Sequence, residues 1–146
     1  MRRLGIALLA AFAWSGAQAA PGPKDPPADP LVGEWLCEKA VLGGRDSTPP
    51  PGSKITFTAD GRALVRDGKR GKDEPNTYTS DPKKDPPEID IRPAGGTDTG
   101  FRGIYKIEGD ILVVCVTVRG DRPKRFESPE DSEVRLITMR RAKKAD

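Results

Sequence analysis

Proline and glycine interrupt this chain so often that no long helix fits between them. Fifteen prolines and sixteen glycines fall among 146 residues, and both residue types break helices while serving turns. Between the breaks lie short runs with period-two alternation, the pattern of strands that bury one face. The clearest is "KITFTADGRALVRDG", residues 54–68, where Ile55 and Phe57 alternate with Thr56 and Thr58. Asp60-Gly61 between two such runs predicts a β-hairpin.

The same reading runs along the rest of the chain. "LVGEWLCEKAV" (31–41) reads as a first strand, with Trp35, Cys37 and Lys39 on one face and Leu36 and Glu38 on the other. After a loop come the hairpin and a polar turn, "KRGKDEPN" (69–76). "TYTSD" and "EIDIR" are two short strands, the second setting Ile89 and Ile91 against Glu88, Asp90 and Arg92. The prolines between them make a rigid corner rather than a linker, since proline is tolerated where no ladder hydrogen bond is needed. "FRGIYKI" alternates Phe101, Gly103, Tyr105 and Ile107 with Arg102, Ile104 and Lys106, and "EGD" (108–110) is a second tight turn. "ILVVCVTV" is apolar on both faces, as a strand covered on both sides must be. A longer connection with Phe126 as its anchor leads to the last strand, "EVRLITMRR". The fold class is all-β: eight antiparallel strands with short connections suit a small up-and-down barrel, whose closure removes both sheet edges. A two-sheet β-sandwich is the alternative. Hydrophobic residues are 35% and charged residues 32%, a lean core for one domain.

The first residues read differently. Arg2 and Arg3, an apolar stretch over 4–14 and the small-x-small ending Ala17-Gln18-Ala19 form the three parts of a secretory signal. The apolar stretch is shorter than the roughly twenty residues of a membrane span. The expected organisation is a signal peptide (1–19), a proline-rich flexible leader (20–30), the barrel domain (31–141) and a basic tail (142–146). An exported, periplasmic or extracellular protein follows, with no stable membrane span after cleavage. Loss of Arg2 and Arg3 lowers the formal charge from +3 to +1, which removes the electrostatic case for nucleic acid. Cys37 and Cys115 remain. Export would allow them to form a disulfide, and two buried free thiols are the other reading.

Four stretches, taken in order, resemble a known family. "LVGEWLCEKA" is similar to the Gly-x-Trp first strand of lipocalin-like barrels. "TYTSDPKKDPPEIDI" resembles a Tyr, Asp-Pro, Lys-x-Pro, Ile-Asp signature. "GIYKIEGDILVVC" resembles a Gly-Ile-Tyr, Gly-Asp, Leu, Cys signature, and "RPKRF" precedes the final "LITMRR". Together they look like the uncharacterised lipocalin-like domain that recurs in planctomycete proteins, many of them exported. The resemblance covers 31–141. It implies a single lipocalin-like barrel and carries no assigned activity. It implies that Trp35 plugs one end and that Arg140 or Arg141 stacks on it, a cation–π contact of about 0.5–2 kcal/mol. It does not imply a disulfide.

The chain contains no histidine. That removes the commonest general base and metal ligand and every Ser-His-Asp triad. Two separated cysteines are too few for a zinc site, and "AGGTDTG" lacks the lysine and helix of a phosphate loop. The carboxylates alternate with inward isoleucines or lie in loops, so they read as solvated faces. No enzyme activity, cofactor or metal is expected. Two roles stay open. In the first, the barrel holds a small apolar ligand against the inward candidates Phe57, Tyr78, Ile89, Ile91, Tyr105 and Leu112. In the second, these side chains fill the barrel, and the protein is an extracytoplasmic structural module or meets a protein partner through exposed apolar residues such as Ile104.

Overall fold

A computed structural model describes residues 29–95 and 100–143. The expected signal peptide and most of the expected proline-rich leader lie outside the described residues. Among the described residues nine strands follow one another: β1 (Gly33–Leu42), β2 (Arg45–Asp46), β3 (Lys54–Phe57), β4 (Arg62–Arg66), β5 (Asp73–Asp81), β6 (Glu88–Pro93), β7 (Phe101–Glu108), β8 (Ile111–Thr117) and β9 (Val134–Arg141). Every strand from β3 to β9 pairs antiparallel with its predecessor in the sheet, and β1 closes the ring by pairing with both β3 and β9. The result is an eight-stranded closed antiparallel barrel, with the two-residue β2 added beside the far end of β1. The single sheet excludes the sandwich.

The turns behave as their residues require. The β7–β8 hairpin turns on Gly109-Asp110, with Gly109 at φ +59°, a conformation glycine adopts without steric cost. In the β3–β4 turn Thr58 Oγ1 donates to Asp60 and accepts from Arg62 N. Strand β5 begins at Asp73, four residues earlier than "TYTSD" suggests, so the polar turn is shorter than expected. Pro75 fits inside β5 because its carbonyl side faces Ala94, beyond the last β6 partner pair, Asn76↔Pro93. Its missing N–H therefore interrupts neither ladder.

One irregularity resets the inward face of β1. Strict alternation from Trp35 and Cys37 would turn Lys39 inward. Instead the register against β9 shifts between Cys37 and Lys39. This β-bulge at Glu38 brings Ala40 to the core and leaves Lys39 exposed.

The core lines the inside of the ring: Trp35, Ile55, Phe57, Ala63, Ile89, Ile91, Tyr105, Leu112, Val114, Val116 and Met139 are buried together with Leu31. A second buried layer lies outside the wall. The connection over residues 118–133 packs on the outer face of β6–β8 and covers Cys115 and Ile104. Arg122 clasps it down, donating to the Gly103 carbonyl (2.8 Å), the Ile89 carbonyl (3.2 Å) and the Asp90 carboxylate (2.9 and 3.3 Å). Phe126 is half-buried there with Lys106 Nζ 4.9 Å over its ring. Ile104 is thus only 2% exposed, contrary to its expected place on an open outer face. Strand β8 has cover on both sides, as its two apolar faces demand.

Candidate functional site

The two ends of the barrel are unlike. One is sealed. Trp35 is fully buried and donates from Nε1 to the Leu31 carbonyl at 2.9 Å. Arg141 lies with its guanidinium carbon 4.2 Å from the Trp35 ring centroid and donates to the carbonyls of Val32 (3.2 Å) and Pro30 (2.8 Å). Of the two arginines expected to stack here, Arg141 does so. Arg140 points outward and pairs with Glu38 at 2.7 Å. Gly33 makes room for this contact: at φ +136°, a Cβ there would lie 2.8 Å from Arg141 Nη1. The Gly-x-Trp motif and the terminal arginine therefore form one unit. Asp29 also belongs to it, accepting from Leu31 N (2.9 Å) and the Ser80 hydroxyl (2.8 Å). Asp29 lies inside the stretch expected to be leader, yet it is tied to the sealed end by these bonds.

Above the plug the barrel is packed. Phe57 and Tyr78 meet edge to face at 4.8 Å between centroids, and the Tyr78 hydroxyl donates to the Thr58 carbonyl at 2.9 Å. Ile89, Tyr105 and Leu112 fill the same level.

The opposite end is hollow. A cavity of about 450 Å³ opens there, within the 300–1,000 Å³ typical of small-molecule sites. Its wall is apolar: Ile55, Phe57, Ile91, Phe101, Val114, Val116, Ile137 and Met139 face it, with Cys37 and Ala40 from β1. Its mouth carries Ser47, Asp67, Arg66, Arg70, Glu74 and Asn76 from the loops and strand ends, and Arg135 from β9. Phe57 and Ile91 are therefore the two expected interior residues that reach the cavity. Tyr78, Ile89, Tyr105 and Leu112 belong to the packed cluster and are not among the residues that line the cavity.

Most of the lining escaped the sequence reading, although one sign was present. In "EVRLITMRR", Arg135, Ile137, Met139 and Arg141 share a face. An arginine on an otherwise inward apolar row marks a polar group directed into a core. Arg141 answers to Trp35, which left Arg135 to be explained.

The cysteines occupy opposite sides of the wall. Cys37 faces the cavity. Cys115 lies beneath the 118–133 connection, its thiol 3.3 Å from the Arg125 carbonyl and 3.4 Å from that of Glu127. Both are free thiols, and the disulfide reading fails because Cys37 on β1 and Cys115 on β8 have β9 between them and lie on opposite sides of the wall, so they cannot be bridged without moving backbone. Burial raises both thiol pKa values; for Cys37 the nearby Arg135 charge pulls in the other direction.

No group of three or more metal-ligating side chains occurs among the described residues. Among them, no helix is long and apolar enough to cross a membrane. Scans against protein families, curated proteins and solved structures find no match.

Proposed function

We propose that this chain is an exported, non-enzymatic lipocalin-like barrel that holds a small apolar ligand in its open end. The single observation that carries the reading is the contrast between the two ends: a plugged, packed base and a cavity of about 450 Å³ with an apolar wall and a charged mouth. Such a shape buries an apolar ligand while fixing its polar end near solvent. The absence of histidine supports a binding rather than a catalytic role, and the ordered motifs shared with the uncharacterised lipocalin-like family support the kinship. Export rests on the amino-terminal pattern of residues 1–19. The alternative, a packed structural or interaction module, would have to use other exposed apolar residues such as Leu36, Val65 or Val118, since Ile104 is covered.

Titration with an environment-sensitive apolar fluorophore tests the reading. Saturable binding with one site per chain is expected, weakened by Ile137→Trp, which fills the cavity. Unchanged binding in that variant, or none in the parent chain, would sink the proposal. Native mass spectrometry of protein isolated from its own source then identifies what it carries.

A further inference from the structure

Four cationic side chains line the open cavity: Lys54, Arg66, Arg70 and Arg135. Three have carboxylate partners. Lys54 Nζ is 2.8 Å from Glu34, Arg66 Nε is 2.7 Å from Asp73, and Arg70 Nη1 is 3.8 Å from Glu74. Arg135 has neither a carboxylate nor a hydrogen-bond acceptor among the described residues, and its Nε is inaccessible to solvent. It stands on the inward row of β9, opposite Val116 on β8 and Leu42 on β1. Its guanidinium carbon lies 5.8 Å from the Phe101 ring centroid.

A guanidinium N–H withdrawn from water without an acceptor is costly, and replacing the residue with an apolar one would remove that cost. A cation retained in this place has the geometry of a ligand anchor. Its planar fork matches a carboxylate, and the low polarity of the wall strengthens the pairing.

We infer that Arg135 makes the cavity selective for amphipathic acids, with the anionic head of the ligand on the Arg135 guanidinium and its apolar tail against Ile55, Ile91, Val114 and Ile137. This rests on the ligand-binding reading above and narrows it to a chemical class, a carboxylate on an apolar chain. Phe101 flanks the head group and keeps the guanidinium in place through its ring face. The paired rim residues Arg66 and Arg70 do not supply the anchor, since each already answers to a carboxylate.

The test compares three probes with the same tail, dodecanoate, dodecanol and dodecyltrimethylammonium, by isothermal titration at neutral pH. The parent chain is expected to bind dodecanoate about tenfold or more tighter than dodecanol, the scale of a charge-assisted hydrogen bond, and the cation most weakly. Arg135→Gln should erase the preference for the acid while leaving dodecanol affinity within about twofold, and Arg135→Lys should keep part of it. Arg66→Gln and Arg70→Gln should keep it whole. Equal affinity for acid and alcohol in the parent chain, or loss of the preference in Arg70→Gln rather than Arg135→Gln, would overturn the inference and leave ligand binding intact. Failure of all three probes to bind would overturn the ligand-binding reading itself. If Arg135→Gln does not fold, the parent ratio together with the Arg135→Lys and rim variants decides the matter.

Discussion

The Arg141 guanidinium lies 4.2 Å over the Trp35 ring and hydrogen-bonds two carbonyls of the segment that covers it. The last strand thereby seals the end of the barrel that the first strand opens. The contact joins chain segments more than a hundred residues apart, so its energy supports closure of the whole ring. Trp35→Ala is expected to lower stability by about 3–5 kcal/mol, the range for emptying a buried aromatic site. Arg141→Ala should cost about 1–3 kcal/mol from the lost stacking and charge-assisted bonds, and Arg141→Lys should recover only part, because an ammonium cannot stack and fork together. Urea unfolding measures all three. An Arg141→Ala variant as stable as the parent would show that the plug needs no latch.

Arg122 holds the 118–133 connection against the barrel wall, and Cys115 reports whether it is held. The side chain reaches two carbonyls and a carboxylate, and Arg122→Ala leaves all of them without it. A loss of about 2–3 kcal/mol is expected. Reaction of Cys115 with a thiol reagent under native conditions should speed up at least tenfold, since the local opening that exposes it becomes easier. A Cys37→Ala background isolates the signal. If the rate does not change, the connection is held by its other contacts.

Tyr78 and Tyr105 sit in the same packed layer with different hydrogen bonding. Tyr78 Oη donates to the Thr58 carbonyl; Tyr105 Oη is buried with no such partner. Tyr78→Phe should destabilise by about 1 kcal/mol, while Tyr105→Phe should be neutral or stabilising, because it removes a polar atom that gains nothing from burial. Thermal unfolding of the pair decides. The reverse order would mean that the Tyr105 hydroxyl has a partner, with the Ser80 hydroxyl the candidate, its influence lowering the Tyr105 pKa against the rise due to burial.

Stability should fall on the alkaline side. Burial raises Cys37 and Cys115 above the ordinary thiol value of 9.0, and Tyr78 and Tyr105 above the ordinary phenol value of 10.0. The folded chain therefore keeps these protons after the unfolded chain has released them, so unfolding is increasingly favoured as pH rises. The contribution is complete below about pH 9 and is lost as pH climbs through the raised values. On the acid side, hydrogen bonds from Thr48, Thr58 and Arg66 lower Asp46, Asp60 and Asp73 respectively. Their share is present above the ordinary carboxylate range and fades as pH drops through the lowered values. Urea midpoints from pH 7 to pH 10.5 check the larger effect, and a flat profile would contradict it.

Much of the architecture was legible because it is local. Alternation in "KITFT" and "EIDIR", Asp60-Gly61 and Gly109-Asp110 each specify a strand face or a turn within a few residues, and eight such pieces suit a closed barrel, with the sandwich excluded only by the β1–β9 pairing. The proline-rich corner between β5 and β6 belongs to the same local grammar: Tyr78↔Ile91 and Ser80↔Ile89 pair directly across it. The β1 face was misjudged at Lys39 because a bulge changes parity without leaving a mark in composition.

The site was less legible, for a physical reason. Whether an inward side chain fills the barrel or borders a void depends on residues from strands distant in the chain. Ile91 and Ile89 look alike in "EIDIR", yet one borders the cavity and the other lies in the packed half. Likewise Cys115 and Ile104 look exposed or inward by alternation alone, and only the folding back of residues 118–133 gives them an outer cover. By itself the sequence determined the eight barrel strands, the faces of regular ones such as β3 and β6, the hairpins and the Gly33–Trp35 motif, because those follow from the period-two pleat and from the torsions of glycine and proline. The tertiary structure alone decided that Arg141 closes one end, that the other end stays open, and that Arg135 enters it without a partner among the described residues. These are properties of the space between strands, and that space exists only once the ring has closed.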